Sequence, residues 1–474
     1  MESHFEVVIL AGGDCKRLYP LTSGGVVKAL LPVGNRPLLW YPLRHLAEAG
    51  IKTATVVAIG EAVAGRISSY LQQHAAAGGV ACKVVTVSED CGTGDALRAV
   101  APALDPSADG VVVYSGDLVC DAPLPAMLVA HRLGGALATV LVSARRVAPS
   151  SETKPGKAPK GVDYLGLDPS RRLLLFSASH PDSLRDLRVP LAAVQRHGAV
   201  EVRSDLADHH LYVLSRPALQ LLASKPNLSS IKLDLIPALC RHQSQPDAPP
   251  GTPPRAPASA SAGGGAAAAA ASPGADERDA AAGGAAGGGG GGGEGEGLPG
   301  AEYMRLAHCG AGARATAGRV AIYKAPDTSF CGRVNTLQAY GDVNREVAAP
   351  DSALHLTGLT PSRYDNVVAA SATLGNKATV GPACIVGEHS AIGDKCSVKR
   401  SVIGSGCKLG AGCKVINSVL MDGVALGDGA HVQNSVLCAA AAVQDGAALK
   451  DCQVGPGFVV AAQADHRGET LARA

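Results

Sequence analysis

Aliphatic residues recur at a fixed step towards the C-terminal end of the chain. From Leu374, steps of six reach Val380, Val386, Ile392 and Val398. A step of five reaches Ile403, and the pattern continues through Leu409, Val415, Leu420, Leu426, Val432, Leu437, Val443, Leu449, Val454 and Val460. All sixteen positions are Leu, Ile or Val, and the short steps fall at 403, 420, 437 and 454, giving a 17-residue super-period. It surfaces as Ser401-Val402-Ile403, Ser418-Val419-Leu420 and Ser435-Val436-Leu437. Fixed-period similarity marks a solenoid. A hexad register with small residues nearby predicts a left-handed parallel β-helix, in which three hexads make one triangular coil and one aliphatic per side points inward. The fourth residue after each aliphatic is small or Val until Gln453 and Phe458, in what the pattern makes the last coil. Ends of solenoids are commonly atypical. Cys384, Cys396, Cys407 and Cys413 occupy such small positions, so packing accounts for them without metal or disulfide chemistry.

The first half has another rhythm. Short β-rich runs at Glu6–Ala11, Thr53–Ala58, Lys83–Val87 and Val111–Ser115 alternate with helical patterns at Pro37–Ala49, 61–76 and 93–101. Pro37 suits the first turn of its helix. Strands separated by helices imply a mostly parallel, Rossmann-like sheet with helices on both faces and ligands at the C-terminal ends of its strands. Residues 243–300 are Pro-rich, then Ala/Gly-rich, and offer too little apolar surface to offset their ordering entropy. They are expected to form a disordered insertion. The strand-like Arg319–Lys324 should resume the first domain, which then comprises 1–242 with 301–350. The β-helix is expected over 365–464.

Composition narrows the options. The 474 residues are 46% hydrophobic and 18% charged, with a formal net charge of +2. No basic block stands out, so neither nucleic acid nor a membrane surface is an expected partner. No apolar stretch approaches the roughly 20 residues that span a bilayer. Thirteen cysteines, an odd number without a Cys-x-x-Cys pair, read as reduced thiols of a cytosolic protein. Within the repeat only His389 and His431 could serve as an acyl-transfer base. Neither has an evident acidic partner or substrate loop, so scaffolding or oligomerisation is the better reading.

Candidate chemistry lies at the N-terminus. Leu10-Ala11-Gly12-Gly13-Asp14-Cys15-Lys16-Arg17-Leu18 follows a strand, and Lys28 and Leu30-Leu31-Pro32-Val33 come next. A Gly-rich turn lets backbone N–H groups approach phosphates, and Arg and Lys neutralise a pyrophosphate leaving group. Gly92-Thr93-Gly94-Asp95 and Gly116-Asp117 follow later strands. In order, these segments resemble the sugar-1-phosphate nucleotidyltransferases, whose Gly-Gly-x-Gly-Thr-Arg-Leu, Pro-Lys-Pro and Gly-Asp motifs are matched by Gly12, Gly13, Arg17, Lys28 and Asp117. Gly92–Leu97 resembles the family's second nucleotide-contacting loop. The departures are as telling. The family's third glycine is Cys15, the following threonine is Lys16, and the prolines flanking the lysine are Val27 and Ala29. The late Asp that completes a divalent-metal site in that family aligns with Arg333, in Arg333-Val334-Asn335-Thr336. An Arg about 4 Å from Mg²⁺ would cost roughly 8 kcal/mol at an effective dielectric of about 20. The resemblance with these losses implies a degenerate nucleotide-binding pocket of Gly12, Gly13, Arg17, Lys28 and Asp117, with no catalytic residue, no metal and no cofactor.

Longer stretches narrow the family further. Leu30–Leu43, Asp205–Tyr212, Ser230–Pro237, Arg333–Thr336 and Ile392–Gly404 resemble the gamma-subunit family of eukaryotic translation initiation factor 2B. That resemblance implies a non-catalytic, regulatory or scaffold subunit of the guanine-nucleotide exchange complex acting on initiation factor 2. Its partners would be the other 2B subunits, especially epsilon, and initiation factor 2. The chain leaves about fourteen residues after the repeat, too few for the catalytic helical domain of epsilon, which favours the gamma type. Two alternatives stay open: an active sugar-1-phosphate nucleotidyltransferase, such as a mannose-1-phosphate guanylyltransferase, or its regulatory subunit.

Overall fold

The computed structural model describes residues 5–12, 16–145, 162–178, 189, 191–244 and 318–472. Gly13 and Cys15, and the greater part of the expected insertion, lie outside the described residues. The first half builds β1 (Phe5–Leu10), a short hairpin of β2 (Pro32–Val33) and β3 (Arg36–Pro37), then α1 (Trp40–Glu48) and β4 (Thr53–Ile59). There follow α2 (Glu61–Gly78), β5 (Ala81–Val87), α3 (Thr93–Val100), β6 (Gly110–Ser115), β7 (Leu118–Cys120), α4 (Leu124–Leu133) and β8 (Ala136–Ala144). Next come β9 (Asp163–Leu167), β10 (Leu173–Ala178), α5 (Leu191–His197), β11 (Glu201–Arg203), β12 (Leu206–Ser215), α6 (Arg216–Ser224) and α7 (Ile236–Ser244). Finally β13 (Arg319–Lys324), β14 (Cys331–Arg333) and α8 (Leu337–Ala348) lead to the solenoid.

Seven strands form one sheet in the order β13-β8-β12-β6-β1-β4-β5. All neighbours are parallel except β12, which runs antiparallel to both β6 and β8. Period-two alternation divides the core. Val8, Val57, Val111 and Val113 enter one cluster, with α3, α6 and α7. Val7, Ile9, Val56 and Tyr114 enter the other, with α1 and α4. Helices therefore cover both faces, as the alternation predicted.

Two boundaries differ from expectation. The helix expected from Pro37 starts at Trp40, because Gly34 (φ 52°) and Asn35 (φ 61°) both turn left-handed. Positive φ at both central residues makes the tight turn that pairs Pro32–Val33 with Arg36–Pro37. Gln243 and Ser244, expected in the insertion, end α7. Gln243 is buried, and its side chain bridges the Leu173 carbonyl and the Val320 N–H. That bond ties α7 to β13.

From Val367 to Leu471 the chain winds through three parallel sheets of seven, six and six strands. Strand partners lie 17 or 18 residues apart, the length of one coil. The inward aliphatics stack in one core with Cys384, Cys396, Cys407 and Cys413, each at most 1% exposed. The three-sheet coil is the left-handed β-helix of hexapeptide repeats that the spacing predicted.

The serines beside the five-residue steps form an internal ladder. Ser401 Oγ accepts the Ser418 N–H (3.1 Å), Ser418 Oγ the Ser435 N–H (3.1 Å), and Ser435 Oγ the Cys452 N–H (3.0 Å). Each hydroxyl donates to the carbonyl two residues earlier. Replacing Ser418 by Ala orphans the buried Ser435 N–H, while the Ile416 carbonyl keeps the Asn434 N–H (3.0 Å). A loss of about 1–3 kcal/mol is expected in urea unfolding; a loss under a few tenths would show that the ladder is dispensable.

The solenoid docks on the first half through one sheet. In the strands of that sheet the second residue points inward, and the first faces outward. The outward residues Ile385, Val402, Val419 and Val436 are buried against α8 and the β2–β3 hairpin, with Tyr340, Val343 and Val347. Asn35 Nδ2 donates to the Ile403 carbonyl (2.8 Å) and caps this junction. Among the described residues no helix is long and apolar enough to cross a membrane.

Candidate functional site

At the C-terminal ends of β1 and β6 a cavity of about 160 Å³ opens between the sheet and the following loops. Gly12, Lys28, Thr93, Asp117, His210, Tyr212 and Arg333 contribute to its lining. Of the residues expected together, Gly12, Lys28 and Asp117 meet here. Arg17 lies exposed in a 3-10 turn and does not line the cavity. Gly12 packs so closely on β4 that an added Cβ would come within 2.3 Å of Ile59 Cγ1.

Asp117 is the centre of the site. Its carboxylate accepts from Lys28 Nζ (Oδ2, 2.6 Å), from Arg333 Nε (Oδ1, 3.0 Å) and Nη2 (Oδ2, 3.0 Å), and from Ser115 Oγ (Oδ1, 2.7 Å). The arrangement follows from local folding. β7 leaves directly after Asp117 and pairs antiparallel with β14, placing Arg333 opposite Leu118. The Val334 N–H closes the turn on the Asp117 carbonyl (2.9 Å). Burial alone would push the Asp117 carboxyl up. The charges of Arg333 and Lys28, with their hydrogen bonds, outweigh it and hold the group well below the usual carboxylate range.

Nucleotidyltransferase chemistry calls for a divalent cation, so the fit of these residues to one is a fair test. Both oxygens of Asp117 are taken by cationic donors, and among the described residues no other carboxylate lines the cavity. Among the described residues no group of three or more His, Cys, Asp or Glu gathers as a metal set. The residues do not fit a divalent metal; the Arg333 guanidinium stands beside the carboxylate that would bind it.

Two further wall residues had no role in the sequence reading. His210 adopts φ 55° at a bulge in β12 between Asp208 and Tyr212, and its ring lines the cavity. Behind it, Tyr212 donates to Asp208 (2.6 Å), and Lys232 bonds Asp163 (2.8 Å). The motifs Asp205–Tyr212 and Ser230–Pro237 thus build one buried polar floor. Thr93, at the second glycine loop, accepts the Ile231 N–H (2.9 Å), and the Gly94 N–H bonds the Ser229 carbonyl (2.6 Å). That loop is therefore held by the 229–231 segment.

Burial, reinforced by the Arg333 charge, pushes the His210 imidazole down to about 3, and burial pushes His131 down to about 4. An unfolded His titrates near pH 6.5. Below that pH the unfolded chain takes up protons that the folded one refuses, so stability falls as pH drops from about 6.5 towards 4. Urea midpoints measured across this range should decline, and less steeply in His131→Gln. An identical slope in the variant would remove His131 from the account.

Two family models match, in chain order. The nucleotidyl transferase model matches residues 6–152, and the model of the EIF2B subunit epsilon LbH domain matches residues 363–465. Fold and matches together define a nucleotidyltransferase-like domain followed by a left-handed β-helix. Over 423 residues the chain is 25% identical to translation initiation factor eIF2B subunit gamma of Dictyostelium discoideum, covering 85% of this chain and 88% of that one. It is 30% identical over 244 residues to the Schizosaccharomyces pombe gamma subunit, 51% of this chain and 52% of the relative. That match spans about half the length of the yeast protein. The chain is a relative of the eIF2B gamma subunits. A mannose-1-phosphate guanyltransferase of Debaryomyces hansenii is 30% identical over 136 residues, only 29% of this chain and 37% of that enzyme.

Proposed function

We propose that the chain is a regulatory, scaffolding subunit of the guanine-nucleotide exchange complex that acts on translation initiation factor 2, in the cytosol, and that it pairs there with an epsilon-type subunit. The alignment with the Dictyostelium gamma subunit supports this reading, because it runs through both halves of the chain at 85% coverage. The guanyltransferase match is confined to 29% of it. The nucleotide pocket expected from Gly12, Gly13, Arg17, Lys28 and Asp117, of which Gly12, Lys28 and Asp117 line the cavity and Arg17 does not, is a remnant in this reading and performs no phosphoryl transfer. The carrying observation is Asp117, whose two oxygens are held by Lys28 and Arg333 rather than left open for a metal. Phosphoryl chemistry of this class needs a cation that neutralises charge on the transferring group.

An affinity pull-down of the tagged chain from its native cytosol, with partners identified by mass spectrometry, tests the assignment. Recovery of the other eIF2B subunits and initiation factor 2 is expected. Recovery with a pyrophosphorylase would point instead to a regulatory subunit of that enzyme. Mg²⁺-dependent pyrophosphorolysis of a sugar nucleotide by the purified chain would overturn the loss of catalysis.

A further inference from the structure

A second, larger cavity of about 980 Å³ lies on the other side of α1, along β5. β5 is the last strand of the seven-stranded sheet and, among the described residues, pairs only with β4. The Ala81 N–H bonds the Lys52 carbonyl (2.7 Å), and the Val87 carbonyl accepts from the Gly60 N–H (3.0 Å). In a parallel ladder alternate residues turn both N–H and C=O to the same side. Ala81, Lys83, Val85 and Val87 therefore serve β4, and the backbone groups of Cys82, Val84 and Thr86 face the open side. Cys82 and Val84 also line the cavity, so groove and free edge coincide.

Edge strands are commonly protected by being short, charged or Pro-bearing. β5 has seven residues, no Pro and a single charge, Lys83. The groove beside it has Leu43 and Leu71 among its apolar lining and Trp40 as one wall. The guanidiniums of Arg36 and Arg44 lie 5.3 and 5.2 Å from the Trp40 ring centre. Arg44 is paired with Glu48 (2.6 Å). Arg36 spends its Nε on the Thr357 carbonyl (3.3 Å), and no carboxylate neutralises it among the described residues. An open edge supplies main-chain bonds, an apolar trough takes alternate side chains, and an unneutralised guanidinium selects an anion.

We propose that the β5 groove is a docking site for an extended, acidic segment of a partner protein, which adds to the sheet as an eighth strand and sets a carboxylate on Arg36. This mode draws affinity from backbone pairing and specificity from side-chain pockets. It is independent of the emptied nucleotide pocket and of the assignment to an exchange complex.

The test uses the full chain and a fluorescent peptide of four Val-Glu repeats, with the Val-Lys counterpart as the reversed-charge control, read by anisotropy. The Val-Glu peptide is expected to bind and the Val-Lys peptide not. Val84→Pro removes an outward N–H that β4 does not use. It should weaken binding about tenfold, as should Arg36→Ala, which leaves every backbone group in place. Amide exchange at Cys82, Val84 and Thr86 should slow when peptide is added. No binding, equal binding of both peptides, or binding untouched by either substitution overturns the proposal. So does a chain that self-associates and becomes monomeric on Val84→Pro, because the edge would then pair with a second copy.

Discussion

Replacing Asp117 by Asn is expected to lower the unfolding free energy by about 3–5 kcal/mol at neutral pH, the cost of leaving buried charge without its partner. Asp117 is 5% exposed, and the substitution leaves Lys28 and Arg333 facing each other across a neutral amide. Replacing all three by apolar residues of similar volume should cost less than removing Asp117 alone, because the desolvation of every charge is then avoided. The pH dependence fixes the sign. The folded carboxyl is held far below its ordinary range, and an unfolded Asp titrates near 3.9. Its contribution is complete above that value and is lost as pH falls through the folded one. The gap between the native chain and Asp117→Asn, measured by urea unfolding, should therefore narrow below about pH 4. A gap that is small at pH 7, or constant down to pH 2, would show that the triad contributes little.

What could be read from sequence divides along physical lines. The β-helix was legible because every coil imposes the same demand, one aliphatic inward per side; sixteen positions carry one, and all but the exposed Leu374 of the first coil pack into or against the core. The docking face was equally present in the letters. Ile385, Val402, Val419 and Val436 are apolar at outward positions, where solvent would favour polar residues, and the row turns to Gln453 and Thr470 further along. Attention to the inward register alone passed over it. The hairpin before α1 was announced by Gly34-Asn35, a tight-turn pair, yet Pro37 drew the helix start too early. Lys28, Asp117 and Arg333 were each marked, but the ion triad was not. It depends on the register of β7 against β14, two three-residue strands far apart in sequence. His210 in the cavity rests on a bulge and a left-handed backbone, for which its neighbours in sequence give no sign.

Val419 and Leu420 are adjacent in one strand, and their replacement should break different things. Leu420 is fully buried in the solenoid core with Ile403 and Leu437 above and below it. Leu420→Ala opens a cavity there and should cost about 2–5 kcal/mol in the unfolding of the β-helix itself. Val419 points the opposite way, is 3% exposed and belongs to the cluster shared with α8 and the β2–β3 hairpin. Val419→Asp puts a carboxylate into that apolar junction. An ionised group is not kept in such a place at a cost of several kcal/mol when it can reach water by parting two surfaces. The strands of the solenoid are not altered, because an outward side chain takes no part in the coil core. The expected result is a chain in which both halves keep their own structure but separate. Small-angle scattering should show an increased maximum dimension, and heating should give two transitions in place of one. Leu420→Ala should leave the dimension unchanged while lowering the unfolding midpoint. If Val419→Asp instead unfolds the solenoid with unchanged dimensions beforehand, the outward row is part of the coil's own stability, and the division of labour within this strand is wrong.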